Sequence, residues 1–135
     1  MPGSVIADAG FLVALLDRRD KHHDWAVTQA AKRAPPWRTC EAVLTEAFYL
    51  LEPSIAPLVA LLRRAETVVP FDLGREIKPV MGLIQKYADV PMSLADACLV
   101  RMTETLSDPL VITTDHHFRI YRRHGRQTVP CVLPG

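Results

Sequence analysis

Hydrophobic and polar residues follow one another along this chain in short blocks, which alternate between strand-like and helix-like patterns. Residues 4–7 and 110–113 are apolar without alternation, which is typical of strands buried on both faces of a parallel sheet. Weaker signals of the same kind predict strands over 37–40, 67–71 and 129–133. The pattern therefore predicts a sheet of about four to five short strands.

Between the strands, apolar side chains recur every three to four residues, the period of a helix with one buried face. Proline closes several of these segments, because it cannot continue a helix. The predicted helices are 9–19, 24–33, 41–51, 55–64, 75–88, 93–106 and a short basic one over 116–123. Alternating strands and helices indicate an α/β fold, a mainly parallel central sheet with helices on both faces. At 135 residues, we expect one domain over 1–135.

Composition and charge describe an ordinary globular protein. Hydrophobic residues make up 49% of the chain and charged residues 23%, and the formal net charge is +1. So small a net charge gives no overall attraction to nucleic acid or membrane, and any such binding requires a local patch. The three cysteines are widely spaced in apolar surroundings, as in proteins of a reducing cytosol. The sequence shows neither a membrane-length apolar segment nor a secretion signal, so we expect a cytoplasmic protein with no membrane contact.

Four acidic residues occupy positions that call for an explanation. Asp8 and Asp115 each follow an apolar strand directly, and ligands in open α/β sheets bind beyond the carboxyl ends of strands. Glu46 lies mid-helix beside an apolar arc, and Asp96 lies in the first turn of its helix. Two strand-end acids and two helix acids can all point into one crevice.

Each of these acids also has a purely structural explanation. Asp8 and Asp115 can cap the helices that follow them. Asp96 together with Ser93 fits the S-x-x-D pattern of a capping box, and Glu46 can be a solvated residue at a helix edge. On the residues alone, the structural and the chemical interpretations both stay open.

A cluster of carboxylates would call for a cation. Like charges in one crevice repel one another and raise the pKa of some carboxyls unless a positive ion compensates them. Hard divalent ions such as Mg²⁺ or Mn²⁺ prefer oxygen ligands. Such a site can ready a water for attack and stabilise the charge that develops in phosphodiester hydrolysis.

A basic segment with aromatic residues follows Asp115. Such a segment can hold a nucleic-acid backbone and stack on bases. The alternative is a solvated basic helix end, which the helix dipole favours. The candidate RNA-binding residues are His116, His117, Arg119, Arg122, Arg123 and Arg126.

Other chemistries fit the sequence less well. A haloacid-dehalogenase-type phosphatase needs a second Asp two residues after the strand-end Asp8, where Gly10 stands. A receiver domain wants a lysine after a late strand, and no lysine occurs beyond Lys86. The histidines and cysteines lack close zinc-ligand spacings such as C-x-x-C or H-x-x-x-H.

Four short motifs, spread over nearly the whole chain, carry a resemblance to a known family. They are V-I-A-D-A-G-F-L-V-A-L-L-D at the start, T-E-A-F-Y-L-L around Glu46, M-S-L-A-D-A-C-L-V around Asp96, and I-T-T-D-H-H-F before the closing strand. His22 and His23 follow the first motif, and V-L-P ends the last strand. In this order and at these spacings the chain resembles the PIN-domain family, and within it the VapC-type toxins of prokaryotic toxin–antitoxin pairs.

The resemblance implies a metal-dependent endoribonuclease with RNA as substrate and Mg²⁺ or Mn²⁺ as cofactor. It also implies frequent homodimers and a small VapB-type antitoxin that blocks the site. Thr113 matches a hydroxyl residue usually found two positions before the last acid, where it can orient that acid. The family's acidic positions, catalytic and metal-binding, are matched by Asp8, Glu46, Asp96 and Asp115.

Two positions depart from the family pattern. Members usually carry Ser or Thr two residues after the first acid, where a hydroxyl can support the site, and this chain has Gly10. Many close relatives have a further acid three residues before the third one, where this chain has Ser93. The missing hydroxyl at Gly10 favours an alternative function, a catalytically weakened PIN-like domain that binds RNA or a protein partner without cleavage.

Overall fold

The structure is a computed structural model that describes residues 3–135, and its centre is a parallel β-sheet. The strands of this sheet are β1 (Ser4–Ala7), β2 (Trp37–Arg38), β3 (Thr67–Val68), β4 (Pro109–Ile112) and, last in the chain, β7 (Cys131–Val132). They lie in the order β3-β2-β1-β4-β7, and every pairing is parallel. The predicted α/β class and the parallel sheet of about four to five strands are confirmed.

Six α-helices within residues 3–135 pack around this sheet. They are α1 (Ala9–Leu16), α2 (His23–Lys32), α3 (Glu41–Leu51), α4 (Ala56–Arg63), α5 (Ile77–Lys86) and α6 (Leu94–Thr105). Helix α1 contacts α2, α3 and α4, while α6 contacts α3, α5 and β4. No helix within residues 3–135 has the length and apolar character needed to cross a membrane.

Strand β1 lies at the centre because it is apolar on both faces. Ile6 and Ala7 are fully buried, and β1 pairs with β4 along its whole length. Beyond its last residue, the Asp8 N–H donates to the Ile112 carbonyl at 3.1 Å, and the Thr39 hydroxyl donates to the Ala7 carbonyl at 2.8 Å. The first bond joins the carboxyl end of β1 to that of β4 and the second joins it to the residue that follows β2, so the residues after these strands emerge at one edge of the sheet.

The predicted basic helix over 116–123 is wrong. A single 3₁₀ turn, His116–Arg119, is followed by a separate antiparallel hairpin of β5 (Arg122–Arg123) and β6 (Gln127–Thr128). The chain reverses at His124 and Gly125, whose φ angles of 52° and 82° lie in the left-handed region that a right-handed helix excludes. The basic residues of this segment are therefore divided between a turn and a hairpin.

The ends of other elements also differ from the sequence prediction. Helix α1 ends at Leu16, because Asp17 adopts an extended backbone and its carboxylate accepts the Arg19 N–H at 2.9 Å. The observed β2, β3 and β7 have two residues each, shorter than predicted. In each of these three predicted strands only two residues pair with a neighbouring strand, and the other residues belong to loops.

Candidate active site

A cavity of about 720 Å³ opens beyond the carboxyl ends of β1 and β4. All four acids singled out in the sequence line it, together with a fifth carboxylate, Asp20. We call this cavity the acidic crevice. Its carboxylates are Asp8, Asp20, Glu46, Asp96 and Asp115.

Asp8 is the most enclosed of these acids, with 6% of its surface exposed. One of its carboxylate oxygens accepts the Ala9 N–H at 2.7 Å and so caps α1, while the other accepts the Thr113 hydroxyl at 2.6 Å. Burial raises the pKa of Asp8 to about 7; the two hydrogen bonds oppose this shift, and Asp96 and Glu46 add to it. Asp8 is therefore both a helix cap and a buried acid that takes up a proton easily.

Asp96 is held by its own helix and by a tyrosine from the end of the chain. It forms a capping box with Ser93, in which each side chain accepts the other residue's backbone N–H. The Tyr121 hydroxyl, on a fully buried ring, donates to the Asp96 carboxylate at 2.9 Å. Burial raises the pKa of Asp96 and Asp115 raises it further, whereas the hydrogen bonds from Tyr121 and Ser93 lower it.

Glu46 and Asp115 lie at the more open side of the crevice. Glu46 is exposed on α3, and its pKa is raised by partial burial and by the charges of Asp96 and Asp115. Asp115 accepts the His117 backbone N–H at 2.9 Å and so caps the 3₁₀ turn, and the same oxygen lies 2.9 Å from the His117 ring. The structure thus contains the caps expected at Asp8, Asp96 and Asp115, and the same three carboxylates line one cavity.

Thr113 connects two of the acids directly. Its fully buried hydroxyl donates to Asp8 and accepts the Asp115 backbone N–H at 2.9 Å. The expected contact between Thr113 and Asp115 is therefore made through the Asp115 backbone, and its carboxylate partner is Asp8. A single β4 residue fixes the position of both strand-end acids.

The electrostatics of the crevice are those of mutual repulsion. Asp8, Glu46 and Asp96 each have a pKa raised partly by another carboxylate of the group. Within residues 3–135, none of these three forms a salt bridge with a lysine, arginine or histidine. A buried carboxylate among like charges is costly unless it is protonated or a cation approaches it.

The donor set fits a hard divalent cation by its chemistry, because the clustered ligand atoms are carboxylate oxygens and, among the four acids within residues 3–135, Asp115 alone has a basic partner, His117. As the side chains stand, however, no three His, Cys, Asp or Glu residues in the described part of the chain are grouped closely enough to surround an ion. The crevice has suitable ligands that are not gathered around one point.

Sequence reasoning missed three residues of the crevice and its walls. Asp20 lies after α1, outside the elements predicted from the sequence, and lines the crevice in the folded protein. Tyr121 is an aromatic residue of the basic segment that follows Asp115, and its hydroxyl donates to the Asp96 carboxylate. Thr114 lines the crevice opposite Gly10, and its hydroxyl oxygen lies only 2.1 Å from where a Cβ on Gly10 would be.

The candidate RNA-binding residues do not form one surface. Among them only His117 lines the acidic crevice. The guanidinium of Arg122 donates to the carbonyls of Arg119, Ile120 and Tyr121 at 2.8–3.2 Å. Arg123 lines a different cavity and donates to the Thr103 carbonyl. The other three, His116, Arg119 and Arg126, are exposed.

Comparisons with known proteins agree with this architecture. The family model described as PIN domain matches residues 5–123, most of the chain, and the chain belongs to the PIN domain family. The crystal structure of Mycobacterium tuberculosis VapC20, described as a Sarcin-Ricin loop cleaving toxin, has a similar fold. The TM-score is 0.57 and the identity 24%, over 70% of this chain and 77% of VapC20. None of the curated proteins matches this chain.

Proposed function

We propose that this protein is a VapC-like endoribonuclease that hydrolyses RNA phosphodiester bonds and depends on Mg²⁺ or Mn²⁺. One observation carries the proposal. Asp8 is a buried acid whose pKa is raised to about 7 among other carboxylates, without a basic partner in residues 3–135. Groups with strongly perturbed pKa values in a cleft are typical of active sites. Membership of the PIN domain family supports the same interpretation.

Asp8, Glu46, Asp96 and Asp115 are the residues that would hold the metal. When bound, the cation supplies Lewis-acid activation of a water and neutralises charge on the phosphate. Thr113 keeps the Asp8 carboxylate oriented, and Tyr121 does the same for Asp96. Glu46 is the exposed member with a raised pKa, so it is suited to accept the proton of the attacking water.

The proposal extends to partners by analogy with VapC proteins. The named target of VapC20, the Sarcin-Ricin loop, supports RNA as the substrate class. A VapB-type antitoxin would act by covering the acidic crevice, and the active form would be a homodimer in the cytoplasm. Residues 1–135 would act as one domain.

The alternative, a PIN-like domain that binds without cutting, rests on two observations. Position 10 has no hydroxyl, and the carboxylates are not gathered around a single point in the described part of the chain. The two functions differ in whether bound RNA is cleaved.

The test is cleavage of a mixed RNA pool with Mn²⁺ and with a chelator. We expect cleavage only with Mn²⁺, and its loss in Asp8→Asn and in Asp96→Asn. Asp89→Asn is the matched control, since Asp89 is exposed and lies outside the crevice. Undiminished cleavage by Asp8→Asn contradicts the proposal, and RNA that is bound but left intact by the parent protein supports the alternative.

A further inference from the structure

A second cavity, of about 1090 Å³, lies at the opposite end of the strands from the acidic crevice. It is bordered by the first residues of β1 and β4, whereas the acidic crevice lies beyond their last residues. A four-residue strand spans about 13 Å, so the sheet separates the two cavities. We call this one the basic cavity, and its charged lining residues are Lys32, Arg33, Arg38, Asp108 and Arg123.

The charges of the basic cavity are strongly unbalanced for a chain whose net charge is only +1. Four of the five charged lining residues are cationic, and the single acid, Asp108, is exposed. Within residues 3–135, none of the four cations forms a salt bridge with a carboxylate. Such a concentration of one sign in a concave site focuses the field and attracts an oppositely charged ligand.

Separate elements bring these cations together. Lys32 is the last residue of α2 and Arg33 is its C-cap. A helix C-terminus favours positive charge because the helix dipole is negative at that end. That explanation does not cover Arg38, which lies in β2, or Arg123, which lies in the β5–β6 hairpin. Three arginines from a helix end, a sheet strand and a hairpin therefore converge on one cavity, and the helix end explains the charge of Arg33 alone.

Unsatisfied donors are a second sign of a missing partner. The Nε–H groups of Arg33 and Arg123 are buried and have no acceptor among the described residues. Of the Arg123 terminal nitrogens, one donates to the Thr103 carbonyl and the other to the Gln127 amide oxygen at 3.3 Å. A buried donor without an acceptor costs stability, and such groups commonly mark the place of an ion, a water or a ligand.

The chemistry of the lining indicates which anion. Arginine forks match the oxygens of a phosphate in pairs, which makes arginine a common phosphate-binding residue. The rest of the wall is apolar, formed largely by prolines and leucines, and suits a base or ribose better than a further charge. A volume of about 1090 Å³ exceeds what inorganic phosphate needs. The prolines and leucines of the apolar wall are Pro35, Pro36, Leu106, Pro109, Leu110 and Pro130.

We propose that the basic cavity binds the phosphate groups of a nucleotide, either free or within an RNA strand, with the nucleoside against the proline and leucine wall. This site is separate from the acidic crevice and does not depend on cleavage there. It also assigns Arg123 to an anion site remote from the acidic cluster.

The first test measures binding in the presence of a chelator, so that any RNA remains uncut. Inorganic phosphate, adenosine monophosphate and a short single-stranded RNA are titrated separately into the protein while its backbone amide resonances are followed by NMR. We expect saturable shifts at the backbone amides of the non-proline residues that line the cavity or adjoin it, which are Arg33, Ala34, Trp37, Arg38, Asp108 and Leu110. Equal affinity for the mononucleotide and the strand indicates a free nucleotide as ligand, and tighter binding of the strand indicates RNA.

The second test removes the charge. The double variant Arg33→Gln/Arg38→Gln should weaken RNA binding about tenfold. It should also reduce the slope of log Kd against log salt concentration by about 1.4, because each phosphate contact on a single strand contributes about 0.7 to that slope. Arg63→Gln/Arg75→Gln is the matched control, since both residues are exposed, lie outside the cavity and remove the same charge.

Three results overturn the proposal. The first is shifts confined to the acidic crevice or no saturable binding at all. The second is equal weakening by the test and control pairs, which shows only a general effect of charge. The third is displacement of the RNA by a poly-glutamate peptide of equal charge and at least equal affinity, because the cavity then recognises an acidic protein segment.

Discussion

The hydroxyl oxygen of Thr114 lies 2.1 Å from the point where a Cβ atom on Gly10 would stand. The two residues face each other at the rim of the acidic crevice, one in the first turn of α1 and the other just beyond β4. No side chain fits at position 10 while Thr114 keeps its place. PIN domains usually carry a hydroxyl residue at this position. In the present chain the hydroxyl near this position belongs to Thr114, which follows β4.

The first prediction concerns this pair. Gly10→Ser should lower the free energy of unfolding by about 1–3 kcal/mol, the usual cost of overpacking. In a Thr114→Ala background the cost should fall to less than half, because the closest obstructing atom is gone. A double-mutant cycle by urea denaturation measures this coupling.

The control for this cycle is Gly82→Ser. Gly82 lies within α5, and a Cβ built there meets no atom within 4 Å. Serine is the better helix former, so this change should be neutral or slightly stabilising. Two results would contradict the steric conflict between a side chain at position 10 and Thr114. One is that Gly10→Ser is as harmless to stability as Gly82→Ser, and the other is that it costs as much stability in the Thr114→Ala background as in the parent protein.

The second prediction is that the metal-free protein loses stability as the pH rises. Burial, with Asp96 and Glu46, raises the pKa of Asp8 from 3.8 to about 7. Between these values the folded state holds a proton that the unfolded state has released, so the contribution of Asp8 to stability is greatest below about pH 4 and falls until about pH 7. The loss attributable to Asp8 is on the order of 4 kcal/mol. Urea unfolding in chelator at several pH values measures it.

Asp8→Asn should remove most of this slope, because the asparagine has no proton to lose. The variant gives up one hydrogen bond, from Ala9 or from Thr113, at a cost of about 1 kcal/mol. Above pH 7 the relief of the buried charge is larger, so the variant should be the more stable protein there. Asp89→Asn should retain the parent slope, and a slope that survives in Asp8→Asn would show that other groups cause it.

The third prediction follows from competition between protons and metal. A cation needs the ionised carboxylates, so Mn²⁺ should raise the melting temperature more at about pH 8 than at about pH 5. Thermal unfolding with Mn²⁺ and with chelator at both pH values measures this difference. Asp96→Asn should abolish it, and an equal shift at both pH values would place the bound ion elsewhere.

The sequence predicted the parts of the molecule that depend on local pattern. The apolar runs at β1 and β4 identified two neighbouring strands of the sheet, and the acids that follow them, Asp8 and Asp115, emerge at the same edge as expected. Parallel pairing accounts for this success, since strands that run side by side end side by side. The sequence also predicted the alternative role of these acids as helix caps, which the structure contains.

What the sequence could not show depends on distant segments meeting in space. The hairpin has no apolar alternation, and both residues of β6 are exposed, so only the His124-Gly125 turn marks it. Arg123 therefore looked like part of the same basic helix as His117, yet the hairpin carries it to the other cavity. Likewise, nothing near Thr114 in the chain indicates that it would face Gly10.

The last prediction concerns Tyr121, whose hydroxyl donates to the Asp96 carboxylate. Tyr121→Phe keeps the buried ring, which packs edge-on against Phe118 and Tyr87 at centroid distances of 5.2 Å, but removes the donor. Because that donor lowers the pKa of Asp96, its loss should raise this pKa further and weaken Mn²⁺ binding near neutral pH. We expect a cost of about 1–2 kcal/mol in the free energy of unfolding.

Tyr87→Phe makes a matched comparison, because it also removes a hydroxyl that forms a hydrogen bond. The Tyr87 hydroxyl accepts the Arg122 N–H at 2.9 Å and makes no hydrogen bond to the acids of the crevice. Both variants should lose stability, whereas only Tyr121→Phe should bind Mn²⁺ more weakly than the parent protein, as measured by calorimetry. The difference in Mn²⁺ affinity between the two variants should shrink as the pH rises, because Asp96 is then ionised in both of them. That pH dependence separates an effect on the carboxylate from a general loosening of the core. Equal Mn²⁺ affinity in the two variants at every pH would mean that Tyr121 only packs, and that Asp96 is positioned by its capping box alone.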